Sequence, residues 1–254
     1  MTLERREIVA MDLPVAPDVV WQHLREPYLI RRWYRWDSAD LDAEIHRDFV
    51  ERVAEGHVVE GRATTRTLTW PTHDVVTVRS SVEAPGGTHL TITRSSHELG
   101  SYDGLYDERD AVWTAAAEQL RFALVVQPGQ ERRTLSVFGL DAGDRRDRLM
   151  DRVGLHGVRG VPLGGNVQAR RPDGTLLGAT LIRKDPDLLV LSLHGITAAL
   201  MVIEEVPAGS APPHGTVGAV LSTYGLDDAT FEQVQSRWSS WWRSAMPRPT
   251  GIGI

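Results

Sequence analysis

Two long stretches of the chain carry apolar residues at steps of three and four, the spacing that places side chains on one face of an α-helix. The later stretch covers about 228–246, and its apolar face consists of Phe231, Val234, Trp238, Trp241 and Ala245. The earlier stretch covers about 107–125, with Trp113, Ala116, Ala117, Leu120 and Leu124. Trp242 widens the later face. Because three Trp residues this close together cannot all point one way, we expect one of them to face a cavity mouth or the other half of the chain.

Elsewhere apolar and polar residues alternate, which is the period of a β-strand with one buried face. Strands of the first half are predicted at 7–13, 43–50, 57–70, 74–84 and 88–95. Strands of the second half are predicted at 134–138, 166–171, 175–183, 188–194, 199–206 and 216–222. Shorter helices are predicted from about Pro17 to Pro27, at 28–36 and at 141–152. Residues 188–206 are apolar at both parities, which is typical of strands covered on both faces.

The two halves share one order of elements: strand, helix, several strands and a long closing helix. A repeat of more than about one hundred residues indicates duplicated domains and not a solenoid. The segment Gln127-Pro128-Gly129-Gln130-Glu131 is a linker candidate. We therefore predict an α+β chain with domains at 1–127 and 131–247, followed by a short tail at 248–254.

Composition narrows the function classes. The chain has 254 residues, 41% of them hydrophobic and 24% charged, with a formal net charge of −6. The negative charge disfavours a nucleic-acid partner. The absence of cysteine excludes thiolate chemistry and disulfides. The N-terminal residues are charged and no run is long and apolar enough to span a membrane, so we expect a cytoplasmic protein.

One set of motifs resembles a known superfamily. These are PVAPDVVW from Pro14, Ile30-Arg31-Arg32-Trp33, Leu68-Thr69-Trp70, Gly86-Gly87-Thr88 and the pair Trp113 and Leu120. They resemble the SRPBCC (START-like, helix-grip) superfamily, and within it the Aha-type branch, which is named for activators of a heat-shock chaperone ATPase. The resemblance covers roughly residues 5–126 and is much weaker over 132–246. It implies a curved antiparallel sheet wrapped around a long C-terminal helix, with a cavity between them. Together with the shared order of elements, it predicts two tandem copies of this fold.

The resemblance leaves three functions open, because a fold does not choose among them. The first is a protein that binds a hydrophobic or amphipathic small molecule in its cavity. The second is an enzyme of the polyketide aromatase/cyclase kind, which needs no metal. The third is a co-chaperone-like interaction module with a chaperone as its partner. We expect the first. No motif indicates a cofactor or a metal site, and the pattern does not define an oligomeric state.

Candidate ligand-binding residues are aromatic or polar side chains predicted to face the cavity: Trp33, Trp36, Glu60, Arg66, Trp70, Trp113, Trp238 and Trp241. Each has a plainer interpretation. Stripes of aromatic residues at helical spacing usually form core. Glu60 and Arg66 share the parity of Leu68 and would be semi-buried acid/base candidates, or they pair with each other at a rim. No catalytic residue is assigned.

The second half lacks a counterpart of the aromatic segment 28–36. This motivates a further hypothesis, in which the second half has lost its ligand and serves the first half as a structural partner.

Overall fold

A computed structural model describes residues 4–60, 63–80, 86–96, 106–195 and 197–245, with the side chains of Glu60, Ala63, Ser96, Ser244 and Ala245 left out. Its contacts divide the chain into two compact units, Met1–Arg132 and Arg133–Ile254. Whether 1–127 and 131–247 are separate domains stays a prediction. The predicted tail at 248–254 lies outside the described residues.

Among its described residues, the first unit contains a five-stranded sheet and four helices. The strands are β1 (Glu4–Leu13), β2 (Ala54–Glu60), β3 (Ala63–Thr69), β4 (Asp74–Ser80) and β5 (Thr88–Ser96). The helices are α1 (Pro17–Arg25), α2 (Pro27–Ile30), α3 (Leu41–Ile45), which continues into a π-helical turn (His46–Glu51), and α4 (Glu108–Val125). The strand order is β1-β5-β4-β3-β2, with antiparallel neighbours.

The second unit contains a six-stranded sheet and two helices. The strands are β6 (Arg132–Asp141), β7 (Asn166–Arg170), β8 (Leu176–Lys184), β9 (Leu188–His194), β10 (Ala199–Val206) and β11 (Thr216–Tyr224). The helices are α5 (Leu149–Arg152) and α6 (Asp228–Ala245), with a short 3-10 turn (Val158–Gly160) after α5. The strand order is β6-β11-β10-β9-β8-β7.

Both units therefore pair their first strand with their last and arrange the intervening strands as a meander. In each unit a long helix follows the last strand. This confirms the predicted fold class, an α+β helix-grip arrangement that occurs twice. Alternating residues of the strands build each core, because successive side chains point to opposite faces of a sheet. In the first unit the core face carries Leu68, Val76, Val78, Leu90 and Ile92, all buried.

The core of the second unit lies between its sheet and α6. Leu189, Leu191, Met201 and Ile203 are fully buried there together with Phe231, Trp238, Trp241 and Trp242. Strands β9 to β11 are also buried at the positions of opposite parity, as their apolar composition predicts. The three Trp residues contact one another, with ring centroids 5.3–6.0 Å apart. Mutual packing lets all three lie in the core, and Trp238 and Trp241 also line a cavity of this unit, which agrees with the expectation that one of them faces a cavity.

Two predicted elements were wrong in type or extent. The segment predicted as a strand at 43–50 is helical, because Leu41, Ile45 and Phe49 recur every fourth residue and are buried on one face. The helix predicted at 141–152 is reduced to α5. Before α5 the chain completes β6 and then turns at Gly143. The φ of Gly143 is +79°, a backbone conformation that few residues other than glycine adopt.

Two other predictions needed smaller corrections. The helix predicted at 28–36 ends at Ile30 and gives way to turns, with Arg35 at a positive φ of 48°. The single strand predicted at 57–70 is a hairpin in which Glu60 pairs with Ala63. The phase of the alternation changes across this hairpin, because Glu55 and His57 of β2 stand opposite Leu68 and Arg66 of β3 and paired residues share a face. One continuous period of two over 57–70 was therefore wrong.

Candidate functional site

A cavity of about 210 Å³ lies between α6 and the ends of the strands in the second unit. Its apolar walls are Leu176, Leu177, Leu193, Ala199, Leu221 and Val234, together with Trp238 and Trp241. Its polar lining residues are Arg171, His194, Thr197, Thr223 and Arg237. The core parity of β8 to β11 supplies Leu177, Leu193 and Leu221, so the cavity extends the hydrophobic core to the surface.

The indole of Trp241 is fixed at the base of this cavity. Its Nε1–H donates a hydrogen bond of 2.9 Å to the backbone carbonyl of Val153. The next residue, Gly154, has φ +82°, and a Cβ at this position would overlap the carbonyl of Arg170. Glycine therefore permits the close approach between this segment and the chain beside Arg171. Trp241 and Arg171 therefore lie close together where the segment 153–154 approaches the end of β7.

Arg171 is the unusual group in the cavity. Val167 and Ala169 are buried on β7, and Arg171 continues their parity just beyond the strand. Its guanidinium carbon lies 5.5 Å from the centroid of the Trp241 ring. Its Nε is buried and has no hydrogen-bond partner among the described residues. Burial lowers the pKa of Arg171, and the positive charge of Arg237 lowers it further.

Two other polar residues at the cavity, Thr223 and His194, have hydrogen-bond partners within the protein. The Thr223 hydroxyl donates a 2.9 Å hydrogen bond to the carbonyl of Arg133. The His194 ring lies 3.0 Å from the Thr180 hydroxyl. His194 has the parity of Ser192, opposite to that of Leu193, so its ring stands on the outer face of the sheet. No carboxylate is among the described residues that line the cavity.

A second depression of about 300 Å³ lies at another place in the second unit, and charges of both signs line it. Several of these are already paired. Arg159 binds Glu205 at 2.5 Å, and His214 lies 3.0 Å from Asp141. Charged residues and histidines form most of its lining, and Ala142, Met150 and Leu155 are its apolar residues.

The aromatic candidates of the first unit contact one another. Phe49 joins Trp33 to Trp70 by edge-to-face contacts of 5.7 and 5.5 Å between ring centroids, and Trp70 contacts Trp113 at 5.1 Å. The indole N–H groups donate to backbone carbonyls, Trp33 to His23 at 2.8 Å and Trp70 to Asp48 at 2.7 Å. Geometry of this kind is that of a packed core. Trp36 stands partly exposed, with the Arg35 guanidinium 5.9 Å from its ring.

Arg66, a predicted polar candidate of the first unit, is partly exposed. Arg66 shares the core face with Leu68, as its parity predicts, and forms an ion pair of 2.7 Å with Asp18. Its guanidinium lies 5.6 Å from the Trp21 ring. The side chain of Glu60 lies outside the described part of the structure. The assignment of all eight candidates to a ligand site stays a prediction, and the cavity described above contains two of them, Trp238 and Trp241.

The buried charges of the first unit are elsewhere on the core face. Asp74 on β4 is 5% exposed and pairs in register with Arg94 on β5. Arg94 forms an ion pair of 2.7 Å with Asp107, the residue that caps α4, and Arg6 pairs with Asp110 in the first turn of that helix. These two ion pairs connect the first turn of α4 to strands β1 and β5 of the sheet.

The pKa values of the two carboxylates at the start of α4, Asp107 and Asp110, are shifted in opposite directions. Burial disfavours ionisation of Asp107, but the hydrogen bond and charge of Arg94 and the N–H groups of Arg109 and Asp110 outweigh it, so the pKa of Asp107 is lowered. Burial raises the pKa of Asp110, and the charge of Asp107 adds to this effect. Opposite pKa shifts also occur in catalytic acid/base pairs. Here, however, both carboxylates already form ion pairs, Asp107 with Arg94 and Asp110 with Arg6.

Among the described residues, no group of three or more His, Asp or Glu side chains could hold a metal ion. Within the same part of the chain, no helix is long and apolar enough to cross a membrane.

No protein-family model matches the chain, and no curated protein matches it. Three solved structures are similar in arrangement. The di-domain ARO/CYC BexL from the BE-7585A biosynthetic pathway has 13% identity and a TM-score of 0.32, covering 97% of this chain and 100% of that one. The di-domain ARO/CYC StfQ from the steffimycin pathway has 7% identity and a TM-score of 0.32, covering 95% of each chain. DynU16, from the dynemicin biosynthetic locus, has 15% identity and a TM-score of 0.28, covering 95% of this chain and 96% of that one.

At these identities and scores the likeness carries no functional argument. The proposals below therefore rest on the geometry of this chain.

Proposed function

We propose that the second unit binds a compact, flat, apolar or amphipathic small molecule in the cavity beside Trp238 and Trp241. The observation that carries this proposal is an apolar cavity that opens to solvent and continues the core. Leu177, Leu193 and Leu221 reach it from three strands, and each is otherwise buried. Exposed apolar concavities of this kind are the usual form of small-molecule sites.

The size of the cavity restricts the ligand. Typical sites for drug-sized molecules measure about 300–1,000 Å³. At about 210 Å³ the cavity is smaller and suits a ligand of a few fused rings better than a long flexible chain. Trp238 and Trp241 offer indole surfaces, and flat ring systems pack well on them in offset or edge-on geometry.

A second candidate function is an aromatase/cyclase-like reaction in the same cavity. The observation in its favour is the pair of arginines, Arg171 and Arg237, because guanidinium groups stabilise an enolate oxygen that forms during ring closure. The described lining offers no carboxylate base, and an arginine does not act as one. The proton acceptor would then have to be water, the substrate itself, or His194 if its ring turned from the outer face of the sheet toward the cavity. Binding is therefore the first proposal.

The third function, a co-chaperone-like interaction module, and membership of the Aha-type branch stay predictions. An open cavity beside Trp238 favours a ligand over a purely structural core. The same cavity argues against the hypothesis that the second half serves only as a structural partner of the first.

Native mass spectrometry with organic extraction of the purified protein tests the proposal directly. A co-purifying aromatic compound supports binding, and conversion of an added polyketide-like chain into a cyclic product supports the cyclase. A titration with N-phenylnaphthylamine, a neutral dye that fluoresces in apolar sites, gives a second readout. Saturable binding is expected in the wild type.

A pair of matched variants locates the dye. Ala199→Leu places three more carbon-sized groups into the cavity wall and should abolish saturable binding. Ala208→Leu makes the same change at an exposed position outside the lining residues and should leave binding unchanged. Equal binding by both variants would refute the assignment of the ligand to this cavity.

A further inference from the structure

The charges at the cavity are unbalanced. Arg171 and Arg237 both line it, and neither forms a salt bridge with any other described residue. Asp173 attracts Arg171, but its carboxylate already accepts hydrogen bonds of 2.9 and 2.7 Å from the backbone N–H and hydroxyl of Thr175. The two cations therefore lack a dedicated anion.

The arrangement of Arg171 is costly when the cavity is empty. A buried polar group without a hydrogen-bond partner destabilises a protein, and a charged group does so more strongly. The Arg171 Nε is such a group, and the apolar neighbours Leu177 and Trp241 provide no acceptor side chain. The depression of the Arg171 pKa by burial and by Arg237 expresses the same cost.

An anionic oxygen group would remove both penalties. The guanidinium is planar and offers parallel N–H donors that match the two oxygens of a carboxylate. A carboxylate seated at Arg171 would accept the Nε–H hydrogen bond and offset the repulsion from Arg237. The face of the Trp241 ring beside the guanidinium would then contact the body of the same molecule.

We infer that the ligand of this cavity is an aromatic carboxylic acid, whose carboxylate binds Arg171 with Arg237 at the mouth while its rings lie against Trp238 and Trp241. This inference rests on the proposed function and names the chemical class of the ligand. It also gives the two arginines different tasks. Arg171 is half-buried and supplies directional hydrogen bonds, whereas Arg237 is exposed and supplies mainly long-range attraction.

The test uses the full-length protein with N-phenylnaphthylamine as reporter and two competitors of equal shape. Naphthoate carries the carboxylate, and naphthamide replaces it with a neutral amide. Hydrogen bonds to charged groups contribute about 1.5–3 kcal/mol, so naphthoate should displace the dye at least about tenfold more effectively than naphthamide. Added salt should reduce this preference.

Three variants assign the preference to residues. Arg171→Gln should abolish it, and Arg171→Lys, which retains the charge without the planar fork, should keep only part of it. Arg237→Gln should reduce the preference less and remove most of its salt dependence. Arg170→Gln is the matched control, because Arg170 is the neighbouring arginine, bonds to the Gly174 carbonyl and does not line the cavity; its preference should equal that of the wild type.

The outcomes separate the two proposals. If the dye shows no saturable binding, the proposed function fails and the inference fails with it. If the dye binds but naphthoate and naphthamide displace it equally from the wild type, the cavity is a ligand site and the inference alone is overturned. This comparison requires no variant, so it holds even if a substitution at Arg171 impairs folding.

Discussion

Trp241 and Trp242 are adjacent, equally buried and stacked on each other, yet their indole N–H groups differ. The Nε1–H of Trp241 donates to the Val153 carbonyl at 2.9 Å, whereas the Nε1 of Trp242 has no partner among the described residues. The rings lie 5.3 Å apart at an interplanar angle of 28°. Replacing each Trp by Phe removes the same atoms from the same core, so the difference between the two variants isolates the fate of the N–H group.

The expected difference follows from the cost of hydrogen bonds. Trp241→Phe loses a bond worth about 0.5–1.5 kcal/mol and leaves the Val153 carbonyl without it. Trp242→Phe removes an unsatisfied buried donor, which returns about 1–3 kcal/mol and offsets the loss of packing. Trp241→Phe should therefore be the less stable variant by about 1.5–4.5 kcal/mol, and Trp242→Phe should lie close to the wild type.

Urea unfolding followed by far-ultraviolet circular dichroism measures this difference without depending on indole fluorescence. The slopes must agree between variants for the midpoints to report stability. Because Trp241 lines the cavity and Trp242 does not, Trp241→Phe should also weaken binding of N-phenylnaphthylamine while Trp242→Phe leaves it intact. A Trp242→Phe variant at least as unstable as Trp241→Phe would refute the reasoning.

Two further predictions concern the first unit. Asp107→Asn keeps a capping side chain but loses the charge that pairs with Arg94. Because the pKa of Asp107 is lowered in the folded state, its carboxylate stabilises the wild type above the unfolded pKa of about 3.9, and this stabilisation is lost as the pH falls through the folded pKa. The difference in urea midpoint between the variant and the wild type should therefore narrow on acidification. A gap that is constant with pH would contradict this assignment. The fragment 1–134 should fold more stably than 1–127, by about 1.5–3 kcal/mol in urea, because the buried Arg132 guanidinium donates to the carbonyls of Arg31, Tyr34 and Arg35 and to Gln119. Equal midpoints would show that Arg132 contributes nothing to the first unit.

Sequence periodicity predicted both long helices and most strands, since their cores depend on steps of three and four or of two. It failed where one segment fits both periods. Leu41, Ile45 and Phe49 are spaced by four, which is even, so the same residues satisfy a strand with one buried face and a helix. Arg145, Arg146 and Arg148 show the opposite failure: arginine has good helix propensity, but these residues are exposed and no buried face stabilises a helix there.

The site was less accessible to sequence reasoning, because an aromatic residue can fill space as well as border it. The segment with Trp33 suggested a ligand site, yet its rings form edge-to-face contacts and its indole N–H satisfies a backbone carbonyl. Trp241 is equally buried and also borders open space, and no sequence pattern distinguishes the two. A different signal was present at Arg171, which continues the buried parity of Val167 and Ala169.

An arginine at such a position requires an anionic partner, because an unpaired charge that is removed from water destabilises the folded protein. In the first unit the equivalent demand is met within the chain: Arg94 stands on the core face and three carboxylates surround it. In the second unit Arg171 stands on the core parity with an apolar cavity beside it and no salt bridge to a described residue. The contrast between these two arginines is therefore more informative than the aromatic residues about which half binds a ligand. It supports a structural role for the buried charge of the first unit and the recognition role that we propose for Arg171.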